Sequence, residues 1–226
     1  MSQPFTPTPP NNRMPLRGEL FVLTHTEAGE PMAHRPSLSI GLAGAILVGL
    51  VMPVERVRLI GGSAAVVVDH QMTGDPVADW ALTMLAGHQA SMSVQDTLRL
   101  LAVDAYQRTS AGLVAGGLVT ETSRRRLFGR TAAYPPTDSA VIPRVRGRLR
   151  YVLQGIEAAD PQTDVLAGLV RALGLESALY LDAIGEDIRP VMRQMLNRVA
   201  TEYPGVKEIV KAVEGLIGES AISVYG

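Results

Sequence analysis

The stretch Ser37–Pro53, SLSIGLAGAILVGLVMP, carries no polar side chain from Ile40 to Met52. A helix that is apolar on every side offers no face to water, so it must be enclosed by other elements or by lipid. As a helix it rises roughly 26 Å, less than the ~30 Å hydrocarbon core of a bilayer. The expectation is therefore a central helix buried in protein, with Ser37 as its N-cap and Pro53 as its stop. Gly41, Gly44 and Gly49 thin its surface for neighbouring backbones.

The rest of the chain reads as the wrapping of that helix. Of 226 residues none is cysteine, which excludes disulfides and thiolate chemistry and fits a reducing, cytoplasmic compartment. Met1–Pro15 holds five prolines and little to bury, and it lacks the pattern of a signal peptide; it reads as a disordered arm before one domain over 16–226. Leu16–Leu23 opens the fold with Leu20, Val22 and Leu23 inward, and Ala28-Gly29-Glu30-Pro31 is turn chemistry. Val57–Leu59 and Ala65–Val68 flank Gly61-Gly62-Ser63 as a hairpin. Asp75-Pro76 opens a helix running to His88, with Asp75 as the cap. Ser93–Leu113 is the next helix, with Val94, Leu98, Leu101 and Ala105 on one face and Gly116-Gly117 at its end. A second hairpin pairs Leu118-Val119 with Leu127-Phe128 about a tip holding Arg124, Arg125 and Arg126.

Pro143–Ile156 is ambiguous. It alternates like a strand from Arg144 to Tyr151, yet Val145, Leu149, Val152 and Ile156 form a helical stripe flanked by two arginine rows. The helix is preferred because the stripe outlasts the alternation. Asp160-Pro161 opens a buried helix ending at Gly174, and 188–199 and 206–217 are amphipathic. The expected class is mainly α, a single domain with a buried central bundle, amphipathic wrapping helices and short β-hairpins.

Net charge is −1, but residues 124–150 hold eight arginines and one acid, Asp138. Arginine outnumbers lysine 19 to 2, a bias that suits a GC-rich bacterial genome. The basic stretch suits anionic lipid, where an apolar stripe between arginine rows can lie at the headgroup boundary. It also suits nucleic acid, since a helix followed by a basic hairpin is the winged-helix pattern, although the helix 93–115 shows only Arg99 and Arg108. The third reading is a protein-interaction adaptor without lipid. Nucleic acid is not the expected partner. No phosphate-cradling loop with a lysine, no G-x-S-x-G and no paired histidines at metal spacing occur, so neither catalysis, nor a metal, nor a cofactor is expected. The four histidines read as surface or loop residues. Asp75 and Asp79 share a helix face, where a carboxylate pair serves acid–base work, but a cap and a helix-stabilising acid are the simpler reading.

Thr73-Gly74-Asp75, Asp79 and Ala81-Leu82 resemble the T-G-D-x-x-x-D-x-A-L signature of the Golgi phosphoprotein 3 family. Leu16–Leu23 with Glu19 is similar to its opening L-x-E-x-x-L-L segment, followed by the turn glycine Gly29. Gly41-Leu42-x-Gly44, Leu113-Val114-x-x-Gly117 and Asp160-Pro161 match in the same order, over about residues 16–220. The resemblance implies a non-catalytic peripheral membrane protein that reads phosphatidylinositol 4-phosphate on the cytosolic leaflet and holds protein clients there. In that family a tryptophan, a helix arginine and two basic residues form the lipid pocket. Here His34, Ala43, Val103 and Tyr106 stand at those positions, with Arg35 and Arg108 the nearest basic residues. The resemblance thus nominates His34, Arg35, Tyr106 and Arg108 for lipid phosphate and Arg124–Arg126 for the membrane surface.

Overall fold

A seventeen-residue helix, α2 (Arg35–Val51), runs through the middle of the molecule, with Leu38, Leu42, Leu47 and Leu50 at most 1% exposed. The computed structural model describes residues 13–88, 91–126, 129–181 and 187–225; of 124–126, 129–130 and 221–225 it describes the backbone alone. Helices α1 (Leu16–Leu23), α3 (Pro76–Ala86) and α4 (Val94–Ala115) pack on α2 from one part of the sequence. Helices α6 (Pro161–Ala172) and α8 (Pro204–Tyr225) close it from another. Helix α5 (Val141–Leu153) lies on α1 and α6, and α7 (Arg189–Glu202) lies on α6 and α8. A Cβ on Gly44 would sit 2.5 Å from Val213 Cγ2, so this glycine is what lets α8 approach so closely. Among the described residues no helix is long and apolar enough to cross a membrane.

The strands are peripheral. Strands β1 (Val57–Ile60), β2 (Ala64–Val67) and β3 (Met92–Ser93) form an antiparallel sheet in that order. Strands β4 (Thr122–Arg126) and β5 (Gly129–Ala133) form a separate hairpin. The class is mainly α, as expected.

Several details differ from the sequence reading. Helix α2 begins at Arg35, not after Ser37, because Pro36 at the first turn needs no amide partner and already has helical φ. Arg124, Arg125 and Arg126 lie within β4, paired with Thr131, Arg130 and Gly129, and not at the tip. Leu127 and Phe128, expected as a strand, lie outside the described residues, as do residues 1–12 of the expected arm. The end of that arm belongs to the fold: Arg13 bonds Glu19 and Asp160, and the Met14 carbonyl accepts from Gln162. The Val145, Leu149 and Val152 stripe faces the core, which removes it from any headgroup boundary, while Ile156 lies past the helix and is 66% exposed.

Candidate functional site

Helix α1 carries two polar assemblies on its two sides. On one, Glu19 is 1% exposed and accepts from Arg13 Nε (2.9 Å), Arg13 Nη2 (3.1 Å) and Gln162 Nε2 (2.9 Å). Arg148 Nη2 approaches it to 2.7 Å, an ion contact not aligned as a hydrogen bond. Arg13 Nη1 also donates to Asp160 Oδ1 (2.7 Å), whose carboxylate caps α6 by accepting from Thr163 N (3.0 Å). Nearby, Arg17 pairs with Asp75 at 2.6 Å. Asp75 caps α3 by accepting from Val77 N and Ala78 N. Asp79 accepts from the Thr73 amide (2.6 Å), the Thr73 hydroxyl (2.7 Å) and the Gly74 amide (3.2 Å). Both carboxylates are thus committed to holding the turn, as the cap reading expects. Although burial acts to raise the Asp79 pKa, these hydrogen bonds hold it below the usual carboxylate range. A cavity of about 490 Å³ opens beside these ion pairs, walled by Leu16, Ala45, Ile46, Gly49 and Met52. Its charged rim residues Arg13, Arg17, Asp75 and Asp160 neutralise one another.

The other side of α1 is aromatic. His25 is 2% exposed, not a surface residue, and stacks on Phe21 with ring centroids 4.0 Å apart. Its Nδ1 lies 2.7 Å from the Phe21 carbonyl, which only accepts, so Nδ1 holds the proton. Nε2 therefore accepts from the Tyr106 hydroxyl at 2.8 Å. Burial lowers the His25 pKa to about 4 and raises that of Tyr106 to about 12, so both are neutral at physiological pH. Tyr134 closes the cluster, 6.3 Å from the Tyr106 ring. It is brought there by Gly29, whose carbonyl accepts from the Tyr134 amide at 2.9 Å. Gly29 has φ +75°, and a Cβ on it would lie 2.1 Å from Pro135 N, so no other residue fits this turn.

Arg35 covers this cluster. Its guanidinium carbon lies 4.4 Å from the centre of the Tyr106 ring, and the side chain is exposed, with no carboxylate in pairing distance among the described residues. His34, also exposed, stands at the N-cap of α2 and makes no side-chain capping bond. The cation, the helix terminus and the aromatic ring share one end of the buried helix.

The nominated residues therefore divide. His34, Arg35 and Tyr106 come together. Arg108 does not join them: two residues on from Tyr106 in α4, it projects about 200° away around the helix and lies over Trp80 of α3, 5.2 Å from the ring centre. Ala43 is fully buried and Val103 is 78% exposed, so neither position offers a ligand group. Arg99 is tied to Asp96 and Glu219, which leaves α4 without a free basic face of the winged-helix kind. The side chains of Arg124–Arg126 lie outside the described residues. Sequence reasoning missed His25 and Tyr134. The available signal was His25 four residues after Phe21, the helical spacing for a stacked pair.

The family model for Golgi phosphoprotein 3 (GPP34) matches residues 16–215. No curated protein matches the chain.

Proposed function

Since the chain belongs to the Golgi phosphoprotein 3 family, we propose that it is a non-catalytic peripheral membrane protein that binds anionic lipid headgroups at the N-terminal end of α2. The observation that carries this reading is Arg35: exposed, laid on Tyr106, and without a carboxylate partner among the described residues. A guanidinium held over a ring has already lost some of its rotamer freedom, so less entropy opposes its bond to a phosphate. The N-terminus of α2 adds a partial positive charge at the same end. Arg124, Arg125 and Arg126 add diffuse attraction to any anionic surface, screened within roughly 8 Å at physiological salt. The membrane face meant is the cytoplasmic one, and protein clients would be held there.

The reading includes no strong preference for phosphatidylinositol 4-phosphate. With Ala43 and Val103 at two pocket positions and the Tyr106 hydroxyl engaged by His25, a phosphate monoester lacks the charge-assisted bonds that would single it out.

Vesicle flotation tests this. The wild-type chain is expected to float with phosphatidylcholine vesicles that contain phosphatidylglycerol, phosphatidylserine or phosphatidylinositol 4-phosphate, and to detach as salt rises. Arg35→Ala is expected to weaken all three by about fivefold. Loss confined to the phosphoinositide would overturn the absence of preference. No flotation with any anionic vesicle would overturn the membrane reading and leave the adaptor.

A further inference from the structure

The outward face of α5 is set apart from the α2 site by its make-up. Pro143, Arg146, Gly147, Arg150, Tyr151 and Gln154 recur at the helical spacing and line a groove of about 550 Å³, closed on its far side by Leu179 and Tyr180. Arg144 pairs with Asp138 and Arg148 with Glu19. Arg146 and Arg150 have no carboxylate in pairing distance among the described residues, although they stand one turn apart, where like charges repel. Between them Gly147 forms the floor: a Cβ there would meet nothing within 4 Å.

The wall opposite is strained. Tyr180 has φ +57° and ends a turn in which its amide donates to the Ser177 carbonyl and the Leu181 amide to the Glu176 carbonyl. Glycine is the favoured residue at such a position, and a bulky side chain there costs about 1 kcal/mol or more. The strained residue is nevertheless a tyrosine, 67% exposed, and Tyr151 (46%) and Ile156 (66%) are exposed at the same end of α5. The Ile156 amide donates to the Tyr151 carbonyl, which keeps the two side by side.

We propose that this groove seats the phosphate of an anionic lipid headgroup, with Arg146 and Arg150 as its two forks and Tyr151, Ile156 and Tyr180 in the interfacial layer. The proposal rests on the membrane reading above and adds a second point of attachment. Two unpaired guanidinium groups flanking a notch suit a phosphate, which accepts from both and removes their repulsion. Exposed tyrosines and an isoleucine beside them favour the lipid-borne phosphate over a free one, since amphipathic rings partition to the headgroup level.

The test uses the full chain and phosphatidylcholine vesicles with phosphatidylglycerol. Arg146→Ala with Arg150→Ala is expected to weaken binding about thirtyfold. Two further variants keep every charge. Gly147→Leu fills the floor at a position that meets no neighbour, and Tyr180→Gly relieves the strained backbone. Both are expected to weaken vesicle binding while the melting temperature holds or rises. Binding equal to wild type in both would overturn the seat, with attraction then diffuse. Full competition by soluble glycerol phosphate would overturn the lipid as its source. If wild type binds and Arg35→Ala weakens it but the α5 variants do not, this proposal alone fails; if wild type does not bind, the membrane reading fails with it.

Discussion

The two sides of α1 solve opposite electrostatic problems. On the Glu19 side, Arg13, Arg148 and Asp160 enclose a buried carboxylate, and their charges are taken up among themselves. On the Phe21 side, the buried groups are neutral, and a cation, Arg35, lies outside them on the Tyr106 ring. A closed network leaves nothing for a ligand to satisfy. A cation resting on a ring is held in place but still lacks a counter-charge. The difference separates what fastens the fold from what could be offered to a partner, although Glu19 and Phe21, which anchor the two sides, stand two residues apart on one eight-residue helix.

The largest effect is expected from breaking the closed side. Glu19→Ala leaves Arg13 and Arg148 facing each other without their shared acid, and should cost about 3 to 5 kcal/mol in urea unfolding. A loss under about 1 kcal/mol would mean that the two arginines swing to water and that this side is not closed.

A smaller effect is expected from acid on the neutral side. His25 has its pKa lowered to about 4 by burial, against 6.5 in the unfolded chain. Between these values the unfolded state takes up a proton that the folded state refuses. The stabilising share of His25 is therefore complete above about pH 6.5 and declines as pH falls toward 4, by about 3 kcal/mol in all. Urea titrations across this interval should show the decline, and His25→Phe should flatten it. An equal slope in the variant would assign the acid sensitivity to the carboxylates instead.

The smallest effect on stability is expected for Arg35→Ala, less than about 1 kcal/mol, as for an exposed cation on a ring. A larger loss would make Arg35 a fastening residue and erase the contrast between the two sides.

Much of this architecture was legible in the sequence because it is local. The apolar run of α2 announced an enclosed helix, and Asp75-Pro76, Ser93 and Asp160-Pro161 announced three helix starts that the caps fulfil. The Glu19 network was not legible, since its partners lie 129 and 141 residues away in Arg148 and Asp160 and no local rule joins them. The family motifs gain their reason only in three dimensions: Glu19 and Asp160 share Arg13, while Asp75 takes Arg17 one turn away. For the candidate site, Tyr106 was nominated by register and Arg35 as the basic residue nearest a register position, and what unites them is a ring contact across 71 positions. Arg108 was nominated, like Arg35, as the nearest basic residue, but the turn of α4 carries it to Trp80. In α5 the stripe was read correctly as far as Val152 but not to Ile156, and it faces the core and not a headgroup boundary, because periodicity shows which side is apolar but not what covers it.

Enclosure of α2 on all sides also governs how a binding event can be felt. Its first turn touches solvent, while the remainder is wedged between α4 and α8 with Gly44 against Val213. A strut gripped along its length cannot slide or rotate without repacking both neighbours. On the proposed reading, a headgroup captured at Arg35 would meet a seat on a rigid rod, and capture would change the tilt of the whole molecule on its surface, not its internal shape. Any client would read orientation, which hydrogen exchange in α2 would not register and which fluorescence depth measurements at its two ends would.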